Sequence, residues 1–327
     1  MAVMTFIEAV TLAMREEMRR DPSVFLLGED VGIRGGVFRA SMGLIEEFGE
    51  ERVIDTPLAE SAIAGVAIGA AAVGMRPIAE MQFADFIMPA VNQIVSEAAK
   101  MRYRSAGDWN CPITIRAPFG GGVHGALYHS QSVEAMFNST PGLKIVAPST
   151  PYDAKGLLKA AIRDNDPVLF FEHKRCYRLI KGEVPDTDYV LPIGKADVKR
   201  EGTDITVISY GLTLHFALQA AEKLAAEGIS AHVLDLRTLY PLDKDAIIQA
   251  ASKTGKVLVI HEDNKEGGIG GEVAAIVAEN CLFDLDAPVR RLCGPDVPAM
   301  PYSPPMEKFF MITPEKVLEA MRELALF

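Results

Sequence analysis

The sequence predicts an α/β protein of two domains, each a mostly parallel sheet with helices on both faces. Its 327 residues are too many for one ordinary hydrophobic core and suit two. Short apolar runs alternate with segments of helical period from end to end, which is the pattern of βαβ units. We therefore predict a first domain at 1–180, a connecting segment at 181–203 and a second domain at 204–327.

The first domain begins with a helix and continues with alternating strands and helices. Residues 5–19 place Phe6, Val10 and Met14 on one face at helical spacing. A short apolar run closed by Gly28 predicts the first strand. Further strands are predicted at 52–55, 77–83, 113–117, 144–148 and 168–171, and further helices at 61–74, 86–104, 131–137 and 152–163.

The connecting segment is charged, holds Pro185 and Pro192, and has little periodicity. Alternation resumes beyond it, and Thr313 as N-cap with Pro314 at the first helical position predicts the start of the last helix. Strands are predicted at 204–209, 230–236, 256–261 and 288–292, and helices at 213–227, 243–252, 271–282 and 314–325.

Composition excludes several classes of protein. A net charge of −11 argues against a nucleic-acid partner but permits a basic protein partner. No apolar run reaches the roughly 18–20 residues that span a bilayer, and the N-terminal basic residues follow the apolar stretch, the reverse of a signal peptide. The four cysteines form no CxxC pair, so no disulfide or zinc framework is expected. We expect a cytoplasmic protein without a membrane partner.

Glycines mark three segments. Gly65 and Gly69 share one face of a predicted helix made almost entirely of small residues, which indicates close packing either on its own sheet or against a partner subunit. The GGGVHG turn at 120–125 satisfies GxGxxG, but no acidic residue follows about 20 positions later, so a dinucleotide site is not predicted. GGIGG at 267–271 opens a predicted helix and could receive an anion, although most such turns bind nothing.

Two residues are candidates for catalysis. Glu60 begins the small-residue helix among apolar neighbours. Its charge could simply interact favourably with the helix dipole. Alternatively, a desolvated carboxyl there could share a proton with a ligand nitrogen. His129 follows a predicted parallel strand on the side where α/β sites gather, although many loop histidines are merely solvated.

Longer segments together resemble one family over essentially the whole chain. They are LGEDVG at 27–32, GGVF at 35–38, DTPLAESAIAGVAIGAA at 55–71, QFADFIMPAVNQI at 82–94, GGGVHGALYHSQS at 120–132, DLRTLYPLD at 235–243 and GGIGGE at 267–272. This pattern resembles the beta subunit of the thiamine-diphosphate-dependent 2-oxo acid decarboxylase, the first component of the 2-oxo acid dehydrogenase complexes. FADFIMPA and HGALYHSQS resemble the branched-chain member more than the pyruvate member.

The resemblance implies a transketolase-like pyrimidine-binding domain, a transketolase C-terminal-like domain and thiamine diphosphate bound between two chains. It implies that Glu60 hydrogen-bonds N1′ of the aminopyrimidine and so promotes loss of the thiazolium C2 proton. Phe86 matches an aromatic position that stacks on the aminopyrimidine, while Leu58 and Gln82 match other pocket positions. His129 matches a histidine that faces the substrate and the incoming lipoyl group.

The resemblance also implies a structural potassium ion bound by strand-end carbonyls and the loop that follows. Oxygen ligands suit a hard cation, but an Asp/Asn turn between helix and strand needs no metal. The matching positions are Cys111, Ile113, Thr114, Ala161, Asp164 and Asp166.

The sequence lacks the motif that would bind the diphosphate half of the cofactor. Members of this class anchor the diphosphate through Mg²⁺ with a GDG segment, and Gly28-Glu29-Asp30 has the wrong order. We therefore expect an alpha subunit that supplies the Mg²⁺ and diphosphate site in an α2β2 tetramer. The resemblance further implies docking of a basic domain of the lipoyl acyltransferase core, for which the C-terminal helix ending at Glu323 to Phe327 is the candidate surface.

The predicted function is oxidative decarboxylation of branched-chain 2-oxo acids with reductive acylation of a lipoyl group. The same subunit of a pyruvate or acetoin dehydrogenase complex is an alternative. A non-catalytic scaffold subunit is the alternative from another class.

Overall fold

The computed structural model describes residues 1–327, which divide into two compact units. Unit 1 contains residues 1–119 and 136–193, and unit 2 contains residues 120–135 and 194–327. Residues 120–135 thus group with unit 2, although the sequence places them inside the predicted first domain. The domain boundaries themselves remain a prediction.

Unit 1 holds eight strands and six helices. The strands are β1 (Ala2–Thr5), β2 (Val24–Gly28), β3 (Val53–Asp55), β4 (Arg76–Glu80), β5 (Thr114–Phe119), β6 (Lys144–Val146), β7 (Val168–His173) and β8 (Lys181–Val184). The helices are α1 (Phe6–Arg20), α2 (Leu44–Phe48), α3 (Glu60–Ala72), α4 (Met101–Arg104), α5 (Pro151–Arg163) and α6 (Cys176–Leu179).

The main sheet of unit 1 is parallel, with the strand order β6-β7-β5-β4-β2-β3. Strands β2, β5 and β7 are buried along their whole length, as expected for continuous apolar runs covered on both faces. Helix α1 begins with a capping box, because Thr5 and Glu8 satisfy each other's main-chain N–H groups. A separate antiparallel pair joins β1 and β8.

Unit 2 holds six strands and five helices. The strands are β9 (Asp197–Arg200), β10 (Ile205–Ser209), β11 (Ala231–Asp235), β12 (Thr238–Tyr240), β13 (Val257–Asn264) and β14 (Arg290–Gly294). The helices are α7 (Gly211–Ala225), α8 (Lys244–Thr254), α9 (Ile269–Cys281), α10 (Pro304–Phe310) and α11 (Pro314–Ala325).

The sheet of unit 2 has the order β14-β13-β10-β11-β9, and only the edge strand β9 runs antiparallel to its neighbour. Its main core cluster joins side chains of β10, β11 and β13 with those of α7 and α11. The predicted α/β class with mostly parallel sheets is therefore confirmed. None of the helices is both long enough and apolar enough to cross a lipid bilayer.

Two predicted helices are wrong. The helix predicted at 86–104 is broken into a 3-10 segment (Ala84–Ala90), a π-helical segment (Gln93–Ala98) and the short α4. Pro89 lies inside the first of these segments and lacks the N–H group that an α-helix requires there. The helix predicted at 131–137 is a single 3-10 turn at Glu134–Phe137.

The connecting segment predicted at 181–203 contains regular structure. It includes β8 and β9, which pair with β1 and β11. Both pairings are antiparallel and join segments distant in sequence, so local periodicity gives little sign of them.

Candidate active site

Glu60 is the first residue of α3 and only 7% exposed. Its N-cap, Ala59, offers no side-chain hydrogen bond, and no other side chain of the protein donates to the Glu60 carboxylate. The nearby Glu29 carries a raised pKa, first because of burial and then because of the charges of Asp30 and Glu60. A nearly buried carboxylate without a donor from its own chain can accept a hydrogen bond from a ligand.

Helix α3 has apolar residues on its outward face as well as on its buried face. Ala62, Gly65, Val66, Gly69 and Ala72 are exposed, and Val66 is 60% exposed. A Cβ added at Gly69 would meet no atom within 4 Å, and one at Gly65 would meet only the Gln93 side chain at 4.0 Å. Packing within this chain therefore does not require these glycines.

The other predicted pyrimidine-site residues also belong to unit 1. The segment Ala84–Ala90, which contains Phe86, packs against α3, and the Ser61 hydroxyl donates to the Pro89 carbonyl. The Phe86 ring is half-buried and meets the Phe83 ring edge-on, with centroids 5.7 Å apart.

The two remaining positions differ in exposure. Gln82 is half-buried just beyond β4, whereas Leu58, just before α3, is 71% exposed. An acid, an amide and an aromatic face are the groups that an aminopyrimidine ring uses, so the residues present fit this part of thiamine diphosphate.

A buried charge cluster that the sequence analysis missed joins the neighbouring strands β4, β5 and β7. The Arg116 guanidinium is fully buried and donates to both oxygens of Glu172 at 2.6 and 2.7 Å, and also to Glu80. Burial alone would lower the pKa of Arg116, but the charges of Glu172 and Glu80 raise it. The Tyr177 hydroxyl donates to Glu172 at 2.6 Å. A lone arginine within an apolar strand is the signal that could have indicated buried acidic partners.

His129 lies in unit 2, directly after the short 3-10 turn Ala126–Tyr128. We call Gly120–Ala135 the His129 loop. Its backbone is held by acids of unit 2, because the Gly121 N–H donates to Glu262 and the His124 N–H donates to Glu307 at 3.2 Å. These contacts are the physical reason that the loop groups with unit 2.

The carboxylates proposed for potassium already face basic side chains. Lys144 Nζ lies 2.6 Å from Asp164 Oδ2 and 3.5 Å from Asp166 Oδ2, and Arg102 pairs with Asp166. A further cation at these oxygens would be repelled by both basic groups. The two aspartate side chains therefore do not fit a potassium ion.

Main-chain carbonyls of the same set fit the ion better. Burial raises the pKa of the Cys111 thiol to about 12, so only its carbonyl can serve. The carbonyls of Ile113 and Ala161 each accept one main-chain hydrogen bond, which leaves a second lone pair. Thr114 begins β5 directly after Ile113.

The glycine run 267–271 surrounds a histidine ring rather than an anion. His261 Nε2 accepts from the Gly270 N–H at 3.1 Å and lies 3.2 Å from the Cys293 sulfur. A Cβ at Gly268 or Gly270 would come within 2.6 or 2.7 Å of the ring. Burial lowers the pKa of His261 to about 4, so this ring stays neutral at physiological pH.

Comparison with known proteins agrees with this architecture. Residues 2–180 match the family model "Transketolase, pyrimidine binding domain", and residues 194–317 match "Transketolase, C-terminal domain". The solved structure "Split gene transketolase, inactive beta4 tetramer" superimposes with a TM-score of 0.80 at 25% identity, covering 99% of this chain and 98% of that one. The fold thus defines a two-domain protein of the transketolase class.

Curated relatives narrow this class. The chain is 77% identical over 327 residues to the 2-oxoisovalerate dehydrogenase subunit beta of Bacillus subtilis (strain 168), with 100% of both chains covered. It is 50% identical over 325 residues to the pyruvate dehydrogenase E1 component subunit beta of the same strain, covering 98% of this chain and 100% of the relative. The chain belongs to the family of beta subunits of the 2-oxo acid dehydrogenases.

Proposed function

We propose that the chain is the beta subunit of a branched-chain 2-oxo acid dehydrogenase. The reaction splits CO₂ from the 2-oxo acid and passes the acyl group to a lipoyl disulfide. The two electrons released reduce that disulfide, so that one sulfur takes the acyl group and the other takes a proton. Identity of 77% to a 2-oxoisovalerate dehydrogenase subunit, against 50% to a pyruvate dehydrogenase subunit, supports this substrate class.

The Glu60 carboxylate carries the proposal. It is nearly buried at the start of α3 and has no hydrogen-bond donor among the side chains of its own chain. When bound, thiamine diphosphate supplies the carbon nucleophile and the electron sink. Glu60 accepts or shares a proton at N1′, Phe86 packs on the face of the pyrimidine ring, and Leu58 and Gln82 complete its surroundings.

His129 serves the second half-reaction. Its imidazole donates the proton that the reduced lipoyl sulfur requires. Acyl transfer to the lipoyl group should therefore depend on His129, whereas loss of CO₂ should depend on Glu60.

An alpha subunit supplies the Mg²⁺ and diphosphate site in this proposal, and two copies of each chain form α2β2. The outward face of α3 supports such assembly, because Gly65 and Gly69 leave room that this chain does not fill. The solved relative described as an inactive beta4 tetramer agrees with a beta chain that needs a second kind of chain.

Reconstitution with a candidate alpha chain tests the function. We expect that neither chain alone decarboxylates 2-oxo acids and that the assembled tetramer does so with thiamine diphosphate and Mg²⁺. In the tetramer, kcat/KM for 3-methyl-2-oxobutanoate should exceed that for pyruvate. A preference for pyruvate would instead support the function of the pyruvate dehydrogenase relative, which is 50% identical. Full assembly without any decarboxylation would support a non-catalytic scaffold subunit.

Potassium, if bound, uses the main-chain carbonyls of Cys111, Ile113, Thr114 and Ala161, whereas Asp164 and Asp166 stay paired with Lys144 and Arg102. A hard cation held by oxygen atoms binds the folded state only and raises its stability by mass action. We expect a higher Tm in potassium chloride than in sodium chloride at equal ionic strength. Equal Tm values in the two salts would remove the ion from the proposal.

A further inference from the structure

Carboxylates of unit 2 hold the first half of the His129 loop by its backbone. The Gly121 N–H donates to Glu262, which is 6% exposed, and the His124 N–H donates to Glu307, which is 4% exposed. The His124 ring also pairs through Nδ1 with the second oxygen of Glu307. Both acceptors are buried and belong to unit 2, so these contacts fix the start of the loop.

The far end of the loop is held by a side-chain contact. The Tyr210 hydroxyl donates to Glu134 at 2.6 Å, and both side chains are buried. Burial raises the pKa of the Glu134 carboxyl, and the charges of Asp263 and Glu262 raise it further. The loop is therefore held by unit 2 at both ends.

The conformation between these two ends is imposed rather than intrinsic. His124 and Ala126 adopt left-handed backbone angles, with φ of +57° and +54°. Such residues persist where surrounding contacts hold them. A Cβ at Gly121 would come within 2.4 Å of Met300, so the loop approaches unit 2 as closely as a glycine allows. The Tyr128 side chain next to His129 remains 62% exposed.

We propose that Glu262 and Glu307 are positioning residues for His129. They hold the first half of the His129 loop by its main-chain N–H groups, while Tyr210 holds the far end through Glu134. Together these contacts set the place and orientation of the His129 imidazole. This inference rests on the role proposed above for His129. It adds two residues of unit 2 that need not touch substrate or cofactor.

The test uses the assembled enzyme with its alpha subunit and four variants, Glu262→Ala, Glu262→Gln, Glu307→Ala and Glu307→Gln. Amide hydrogen exchange of peptides covering 120–135 should be faster in the alanine variants, because the N–H groups lose their acceptors. Acylation of a free lipoyl domain should fall about 10- to 100-fold, because the imidazole is misplaced. Decarboxylation with an artificial electron acceptor should not change. The glutamine variants keep an acceptor oxygen and should recover most of the acylation rate.

Asp243→Ala is the matched control. Asp243 is a buried carboxylate of unit 2 that accepts from the main-chain N–H groups of Ala196 and Ala246 at 3.2 and 3.3 Å, neither of which belongs to the His129 loop. Its loss should lower Tm without faster exchange at 120–135. Loop exchange in the two glutamate-to-alanine variants no faster than in this control would overturn the proposal, as would a parallel fall of both reaction rates.

His129→Ala separates this proposal from the one beneath it. Unchanged lipoyl acylation in His129→Ala would refute the role of His129 and the positioning role together. If His129→Ala abolishes acylation, while the glutamate-to-alanine variants loosen the loop without slowing acylation, only the positioning role fails.

Discussion

A single carboxylate, Glu60, distinguishes the candidate site from an ordinary helix start. A carboxylate at the first turn of any helix gains from the dipole, and that gain needs no burial. Glu60 is nevertheless only 7% exposed, and no other side chain donates to its carboxylate. Such an arrangement is stabilised when a ligand supplies the missing hydrogen bond.

Replacing Glu60 with glutamine tests that role directly. Glu60→Gln keeps the size of the side chain but cannot share a proton with N1′. We expect exchange of the thiazolium C2 proton in the assembled enzyme to slow by roughly 10²- to 10⁴-fold. Assembly with the alpha subunit, measured as the mass in solution, should persist. The C2 proton exchange is measured by NMR on the same sample.

Glu29→Gln is the control for Glu60→Gln. Glu29 is a half-buried carboxyl close enough to respond to the charge of Glu60. Its replacement should leave C2 exchange close to the unmodified rate. Unchanged exchange in Glu60→Gln, or equal losses in both variants, would reject the assignment of Glu60.

The sequence predicted Glu60 and His129 because each lies in a long motif. It could not predict Glu262 and Glu307, since their contacts with the His129 loop join segments far apart in the chain. The buried partners of Arg116 were missed for the same reason. Side chains that act through tertiary contacts leave no local pattern.

At the scale of single elements, α3 is the helix whose sequence is least explained by contacts within the chain. Its buried face packs on unit 1, but the glycines are on the outward face and meet almost nothing. Each glycine costs the helix about 1 kcal/mol relative to alanine. A helix that keeps Gly65 and Gly69 on an exposed apolar face is suited to close approach by another chain, the second of the two explanations that the sequence left open.

Substitutions at Gly69 should therefore separate folding from assembly. Gly69→Ala and Gly69→Leu should both raise the Tm of the chain alone, because an added Cβ meets nothing within 4 Å and helix propensity improves. In the presence of the alpha chain, Gly69→Leu should prevent tetramer formation, and Gly69→Ala should weaken it less. Sedimentation of each variant with and without the alpha chain measures both effects. Normal assembly of Gly69→Leu would mean that this face stays exposed.

Local sequence rules correctly predicted the elements whose residues all favour the same structure. Thr313 and Pro314 predicted the start of α11, and the structure has Thr313 as its N-cap. They failed where tertiary packing decides. Pro89 breaks a stretch of helical period, and the glycines at 267–271 fit around the His261 ring, which no local pattern around those glycines would reveal.

At the scale of the whole molecule, the chain is acidic and supplies only some of the residues that the proposed reaction needs. Its net charge of −11 favours encounter with a basic partner and disfavours one that is acidic. The C-terminal residues of α11 and beyond include exposed apolar groups, with Leu326 and Phe327 at 75% and 63% exposure. Arg290 pairs with Glu323 at 3.2 Å and lies over the Phe327 ring, which orders this end of the chain.

These features make the C-terminal end the proposed docking surface for the basic domain of a lipoyl acyltransferase core. Charge would mainly speed and orient encounter, because exposed ion pairs contribute little affinity each. The affinity of the isolated docking domain for the assembled enzyme should therefore fall as salt rises, mostly through slower association. Deletion of Phe327 should weaken binding further, because it removes an exposed ring.

The matched control for that deletion is Phe283→Ala, which removes another exposed ring of unit 2 that is 99% accessible. Phe283→Ala should bind like the unmodified enzyme if docking uses the C-terminal end. Titration calorimetry at two salt concentrations, with association rates from stopped flow, distinguishes the contributions of charge and of the ring. Affinity that responds neither to salt nor to loss of Phe327 would place the docking surface elsewhere, while equal losses in both variants would indicate a general effect of removing exposed rings.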